Sequence, residues 1–223
     1  MLSSSEEAFF ICAIFKLMKR QILLLNLSLI LWACTTTNSP LEPREQNFKI
    51  LSLGDSYTAG TGVCSTCSFP EQLRDSLSVN LENSTIELTV IAQSSWTSSD
   101  LINGIQNADL PNDFDLVTLL IGVNNQFQGV SFNVFMEDFD NLVARAIELA
   151  NNNRGNILVI SIFDYANTEF GQIFGGPMIT EEITWYNTYI ASYCQSNDLR
   201  YIDKQNLIFN GLVLPELIAE DGL

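Results

Sequence analysis

Runs of strand length that are apolar almost throughout are the feature that most limits what this chain can fold into. The clearest are residues 48–53, 115–121 and 156–163. A strand without polar alternation is covered on both faces, as strands are in a parallel sheet packed between helices. Residues 132–152, which lie between two of these runs, have apolar side chains at helical spacing. The alternation predicts an α/β fold with a central parallel sheet of about five strands.

Shorter segments complete the alternation. Residues 86–92 and 200–203 are predicted as the remaining strands. Residues 98–108 and 183–193 are predicted as helices. A further helix should begin near Phe69, because Pro70 would then lie in its first turn.

The first predicted strand ends in the turn Gly54-Asp55-Ser56. The carboxyl ends of parallel strands are where functional side chains collect, and a serine there would be exposed on a rigid support. Residues 54–62 are glycine-rich, but they have neither the dinucleotide-binding spacing nor the Lys-Ser/Thr of a P-loop. An ordinary turn is the alternative to a nucleophilic serine, because glycine, aspartate and serine are all common in turns.

Length and charge narrow the class of protein. The 223 residues suit one domain, and the net charge of −16 argues against nucleic acid or an anionic membrane as a charge-driven partner. The chain contains no histidine. We expect no cofactor and no metal, and nothing in the sequence indicates an oligomeric state.

Residues 1–33 have the features of an export signal. Lys19 and Arg20 precede an apolar run over 21–33 that is too short to span a bilayer comfortably. The run ends in Leu-Trp-Ala followed by Cys34, which resembles the lipobox of bacterial lipoproteins. That resemblance implies a diacylated Cys34 as the first mature residue.

The polar segment 34–47 would then be a flexible tether. We expect a protein of the bacterial cell envelope, on the outer membrane or facing the periplasm, that meets the membrane through its lipid anchor only. A simple secretory signal with a chance cysteine, giving a secreted protein, is the alternative. A second apolar patch over 8–15 suggests that translation begins at Met18, with a two-patch membrane anchor as the other interpretation.

Cys64 and Cys67 form a Cys-x-x-Cys pair shortly after the serine turn. Such a pair can be a redox centre, half of a zinc site or a local disulfide. A second pair and a histidine are both missing from the sequence, which argues against zinc. In an oxidising compartment we favour a small disulfide that stiffens the loop beside Ser56.

Three motifs now occur in order on the predicted elements. Gly54-Asp55-Ser56 follows the first strand, Gly122-Val-Asn124 follows the third, and Asp221 lies in a late Asp-x-x. Together they resemble the SGNH, or GDSL-type, hydrolase family over nearly all of residues 48–223. The resemblance implies a flavodoxin-like three-layer α/β/α fold, the SGNH hydrolase fold, and hydrolysis of carboxylic esters.

The same resemblance implies the site residues. Ser56 would be the nucleophile, and Ser95 and Asn124 would stand at the two further oxyanion-binding positions. Asp221 would be the aspartate of the family's Asp-x-x-His motif. Taken singly, Asn124 could be a turn residue and Asp221 a solvated carboxylate.

The sequence departs from the family pattern at several points. Ser95 replaces a glycine, which puts in doubt any need for positive φ there, and Asn125 stands where many members have aspartate. The chain stops at Leu223, one residue before the expected histidine. We therefore expect the hydrolase domain, residues 48–223, to be incomplete at its C-terminus and nearly inactive as it stands.

The function expected from the sequence is hydrolysis of short acyl or acetyl esters carried by a small molecule or a glycan. A non-catalytic ligand- or glycan-binding domain on the same fold is the alternative, which the absent histidine and Ser95 favour. A flavodoxin-like cofactor binder is disfavoured, because the first turn lacks a phosphate loop.

Overall fold

The computed structural model describes residues 46–81 and 84–205. Its strands are β1 (Gln46–Gly54), β2 (Ser84–Ala92), β3 (Leu116–Leu120), β4 (Ile157–Ile160) and β5 (Arg200–Ile202). Its helices are α1 (Ser56–Ala59), α2 (Phe69–Asn80), α3 (Ser98–Gln106), α4 (Val123–Phe127), α5 (Phe132–Leu149), α6 (Glu169–Phe174) and α7 (Pro177–Ser196). Short 3-10 turns occupy Arg154–Asn156 and Tyr165–Asn167.

The strands of this described part form one parallel sheet in the order β2-β1-β3-β4-β5. This is the flavodoxin-like order, in which the strand order, but not the strand direction, reverses between β1 and β3. The predicted α/β fold with a five-stranded parallel sheet flanked by helices is confirmed. Because β1 and β3 are neighbours, the loops that follow them lie side by side.

The apolar strands are buried for the reason the sequence suggests. Leu51 and Leu53 of β1 and Val117 and Leu119 of β3 are all fully buried between the helices. The two polar residues in the middle of these strands bond each other, as Thr118 Oγ1 donates to Ser52 Oγ at 3.0 Å. Pairing these hydroxyls removes the cost of burying them among apolar side chains.

Helix α5 buries one face against this sheet. Its buried side chains recur at helical spacing and are Phe135, Phe139, Leu142, Val143, Ala146 and Leu149. These side chains belong to the apolar core cluster that also contains the β1 and β3 residues.

Some predicted boundaries were wrong. Strand β1 begins at Gln46 and not at Phe48, because Gln46 and Asn47 already pair in register with Ser84 and Thr85. The last helix begins at Pro177, six residues before the predicted start, with the proline in its first turn. The predictions for residues 1–33, for Cys34 and for Asp221 lie outside the described residues.

The cysteines of the described region have two fates. Cys64 and Cys67 are joined in a disulfide between α1 and α2. Cys194 on α7 is a free and fully buried thiol. Burial raises the pKa of the Cys194 thiol to about 11, so it is protonated and unreactive at neutral pH. Over residues 46–81 and 84–205, no helix has the length and apolar character to cross a membrane.

Candidate active site

The turn after β1 holds Ser56 at the first position of α1. Asp55 caps this helix, and its Oδ1 accepts a hydrogen bond from the Tyr57 N–H at 3.1 Å. Gly54 is required here, because a Cβ would collide with Thr58 Oγ1 and with the Leu120 carbonyl of the neighbouring strand. The turn is thus packed tightly against β3, and Ser56 is held on a rigid support at the end of the sheet.

Three of the four predicted catalytic-site residues line one pocket of about 210 Å³. Ser56 reaches this pocket from the end of β1, Ser95 from the loop after β2, and Asn124 from the helix after β3. The carboxyl ends of three adjacent parallel strands therefore bring them together, as their order on the sequence requires. Asp221 lies outside the described residues.

Ser95 adopts the left-handed backbone conformation, with φ at +67°. Its carbonyl oxygen accepts a hydrogen bond from Gln128 Nε2 at 2.8 Å, which ties the loop to the end of α4. The resemblance puts glycine at this position, and glycine reaches positive φ without steric cost. Ser95 takes this conformation at a cost of about 1–2 kcal/mol.

Asn124 is oriented by a bond to the same loop, since its Nδ2 donates to the Trp96 carbonyl at 3.0 Å. A primary amide carries two N–H donors. One is used by Trp96, and the other remains for a ligand in the pocket that Asn124 lines.

Asn125, the next residue, is fully buried and makes a reciprocal pair with Ser98. Its Oδ1 accepts from the Ser98 N–H at 2.9 Å, and its Nδ2 donates to Ser98 Oγ at 2.7 Å. Ser98 Oγ in turn donates to Asp138 Oδ2 at 2.7 Å. An aspartate would have no hydrogen to give Ser98 Oγ, so the amide at position 125 suits this chain's own network.

The sequence did not indicate the contacts of Ser98 and Asp138, which hold Asn125 beside the pocket. The cap of α3 is Thr97, which forms a capping box with Asp100, and Ser98 is the first residue of the helix. Asp138 lies on α5, and no local pattern connects it with the serine loop. Its role follows only from the way α3 packs against α5.

Asp55 combines complete burial with an incomplete set of partners. Its Oδ2 has no hydrogen-bond partner among the described residues. Burial raises the pKa of Asp55 to about 7, and the bond from the Tyr57 N–H offsets only part of the effect. A carboxyl that is neutral below neutral pH thus lies directly beside Ser56.

Aromatic side chains form the apolar side of the pocket, and sequence reasoning did not anticipate them. They are Phe127 of α4, Tyr165 of the second 3-10 turn and Phe170 of α6. Tyr165 is fixed by its hydroxyl, which donates to Gln126 Oε1 at 2.6 Å. Burial, together with the charge of Glu182, raises the pKa of Tyr165 to about 12, so its hydroxyl stays protonated.

Residues 46–81 and 84–205 hold no cluster of three or more potential metal-ligating side chains. The pocket is lined instead by hydroxyls, an amide and aromatic rings, which can bind and polarise a neutral organic group.

Solved structures of bacterial-type esterases share this fold. A lipase/acylhydrolase from Enterococcus faecalis superposes with a TM-score of 0.61 at 18% identity, covering 79% of this chain and 86% of its own. The acetyl xylan esterase AlAXEase gives a TM-score of 0.59 at 19% identity, covering 76% of this chain and 84% of its own. AlinE4, an SGNH-hydrolase family esterase, gives 0.53 at 19% identity, covering 80% and 86%.

The strand order and the serine turn define the chain as an SGNH-type α/β fold. Residues 52–223 match the model of the GDSL-like Lipase/Acylhydrolase family, so the chain belongs to that family. No curated protein sequence matches the chain significantly.

Proposed function

We propose that this protein is a serine esterase that cleaves carboxylic esters with short acyl groups, and that Ser56 is its nucleophile. The observation that carries the proposal is the convergence of Ser56, Ser95 and Asn124 on one pocket at the ends of three neighbouring strands. Membership of an acylhydrolase family supports the same reaction class.

In the proposed reaction, Ser56 Oγ attacks the ester carbonyl carbon and its proton passes to a base. The negative charge on the carbonyl oxygen would be met by the Ser56 and Ser95 N–H groups and by the second N–H of Asn124 Nδ2. The carbon–oxygen bond to the alcohol then breaks, the alcohol leaves with a proton, and water hydrolyses the acyl-serine. Losing one oxyanion donor typically raises the barrier by about 3–4 kcal/mol.

The base is the element that residues 1–223 do not supply, because they include no histidine. A serine hydroxyl is a weak nucleophile without a neighbouring base. The proposal assigns the role to a histidine outside residues 1–223, oriented by Asp221 as the family resemblance implies. Without it, the oxyanion donors and binding would leave a residual acceleration of about 10³–10⁴ at most.

Added imidazole tests this assignment, because it can replace a missing histidine side chain in a pocket open to solvent. We expect hydrolysis of p-nitrophenyl acetate by the chain to be near background alone and to rise with imidazole beyond imidazole's own reaction. Extension of the chain by His-Pro and a closing amphipathic helix should give a larger gain.

The matched control is Ser56→Ala, which removes the nucleophile and leaves the loops intact. Asn124→Ala should lower the imidazole-dependent rate by about a hundredfold or more. The serine mechanism would be ruled out if Ser56→Ala hydrolysed the ester as fast as the unmutated chain does, either with imidazole or in the extended chain.

A non-catalytic ligand- or glycan-binding domain is the second candidate, favoured by the absence of histidine from the sequence. The positive φ of Ser95 weakens one argument for it, because a serine at this position can adopt a conformation that glycine favours. Saturable ester binding without any Ser56-dependent turnover in the extended chain would support this candidate.

The proposed location is the bacterial cell envelope, with a lipid anchor at Cys34. An esterase held there would meet acylated glycans and lipids, and an acetyl xylan esterase is among the structures of similar fold. Acetylated glycans are therefore the first polymeric substrates to test.

A further inference from the structure

Four aromatic rings form a continuous cluster beside the pocket, which we name the aromatic wall: Phe127, Tyr165, Phe170 and Phe174. The ring centroids of Phe127 lie 5.4 Å from those of both Phe170 and Phe174, and Phe170 lies 4.6 Å from Phe174. Tyr165 joins the cluster at 6.1 Å from Phe170. These spacings are those of rings in direct contact.

Two rings of the aromatic wall are open to solvent, whereas Tyr165 is buried. Phe127 is 43% exposed and Phe174 is 55% exposed. Ile173, next to Phe174 in the sequence, and Met178 are also exposed, at 78% and 69%. Single exposed apolar residues are ordinary, but a contiguous patch of this kind marks a binding surface.

The wall is continuous with the site of Ser56. Phe127, Tyr165 and Phe170 line the same pocket as Ser56 and Asn124. Asn124 and Phe127 are also on one helix, α4, so the proposed oxyanion donor and the wall are rigidly connected. An ester whose carbonyl lies at Asn124 would therefore have part of its structure against the rings.

Charge around the wall selects a neutral ligand. Glu169 begins α6 directly before Phe170, and Glu182 Oε2 accepts from Gln126 Nε2, the side chain that holds Tyr165. Carboxylates at these places repel anions, and the net charge of −16 acts in the same direction. An uncharged ester fits this environment, whereas an anionic headgroup or a free fatty acid does not.

We propose that the aromatic wall is a specificity subsite that binds an apolar group of the ester, a short alkyl chain or a single aromatic ring. This proposal rests on the proposed function in one respect, namely that the ester group binds in the pocket at Ser56. The pocket volume of about 210 Å³ is below the range of drug-sized ligands, which limits the group to this size. The group can come from the acyl part or from the alcohol part of the ester, and the experiment separates the two.

Binding is measured by calorimetry on the Ser56→Ala chain, so that no turnover interferes. The acyl arm compares methyl acetate with methyl hexanoate, and the alcohol arm compares methyl acetate with hexyl acetate and benzyl acetate. Each buried methylene should strengthen binding about threefold to fourfold in the arm that reaches the wall. We expect affinity to rise in this way in one arm and to stay constant across the esters of the other arm.

Phe127→Ala and Phe174→Ala, added to Ser56→Ala, should each lower the gain by about fivefold or more. Trp185→Ala is the matched control, since Trp185 is also aromatic and 53% exposed but is not part of the aromatic wall. It should leave binding of every ester unchanged. Thermal melting of each variant checks the fold.

The outcomes separate this inference from the proposed function. A gain that depends on Phe127 and Phe174, without Ser56-dependent turnover either with imidazole or in the extended chain, supports the subsite and overturns the esterase. Turnover that depends on Ser56, with equal binding of all esters, overturns the subsite alone. Equal losses in Trp185→Ala, or a lowered melting temperature with unchanged ester binding in Phe174→Ala, would also show that the rings are not a ligand site.

Discussion

In the wild-type chain the free energy of unfolding should fall as pH rises, because Asp55 ionises, and Asp55→Asn should abolish this fall. Asp55 is fully buried beside Ser56, and its Oδ2 has no partner among the described residues. Burial raises its pKa from an ordinary value of 3.8 to about 7. Asparagine keeps an oxygen that can accept from the Tyr57 N–H, as Oδ1 does now, and it carries no charge at any pH.

The sign follows from proton binding. Between pH 3.8 and about 7 the folded chain holds a proton on Asp55 that the unfolded chain has lost, so the free energy of unfolding falls as pH rises. The stabilisation from this proton is fully present below the unfolded-state pKa of 3.8 and is lost once the pH passes the folded-state pKa of about 7. A difference of about 3 pKa units corresponds to about 4 kcal/mol, which is the most that ionisation of Asp55 can cost.

Urea unfolding followed by tryptophan fluorescence, from about pH 4 to about pH 8, measures the effect. Asp55→Asn and the wild type should have similar stability at the acid end, and the variant should be several kcal/mol more stable at the alkaline end. Asp109→Asn is the control, because Asp109 is an exposed carboxylate on the surface. Parallel curves for Asp55→Asn and wild type would show that the carboxyl is not buried as the structure describes.

Three further outcomes are expected. Ser95→Gly should raise the free energy of unfolding by about 0.5–1 kcal/mol, since it relieves the positive φ, whereas Ser94→Gly should lower it; a loss in both would contradict the strained loop. Non-reducing peptide mapping should find Cys64 and Cys67 joined, and reduction should cost about 2 kcal/mol for so short a loop; two alkylatable thiols would refute this. Intact mass of membrane-extracted protein from a bacterial host should show a diacylated chain that begins at Cys34, and an unmodified Cys34 would refute the anchor.

The sheet could be predicted because its strands are local patterns. The apolar runs around β1, β3 and β4 can be recognised in the sequence as strands. Their parallel direction follows from the helices between them. Helix α6 could not be predicted in the same way, because it has six residues and is fixed by packing. Its Gly171 lies against the Tyr165 carbonyl, where a Cβ would collide, and no local pattern reveals that contact.

The meeting of Ser56 and Asn124 at one pocket was predictable, because for each of them a motif coincides with the end of a strand. The site was not predictable where the determining contacts join distant segments. Asn125 depends on Ser98, and Ser98 depends on Asp138 on a different helix. The burial of Asp55 is likewise set by the surrounding core, which the sequence of the turn does not describe.

The positions of the cysteines have a consequence for the order of events in oxidative folding. Cys64 and Cys67 are three residues apart, whereas Cys194 is about 130 residues further along the chain. In an unfolded chain, closing the long loop costs about 3 kcal/mol more in entropy than closing the short one. Random-coil statistics therefore favour the native pair before any tertiary structure exists. Once α7 packs, the buried Cys194 thiol is withdrawn from thiol–disulfide exchange with this pair.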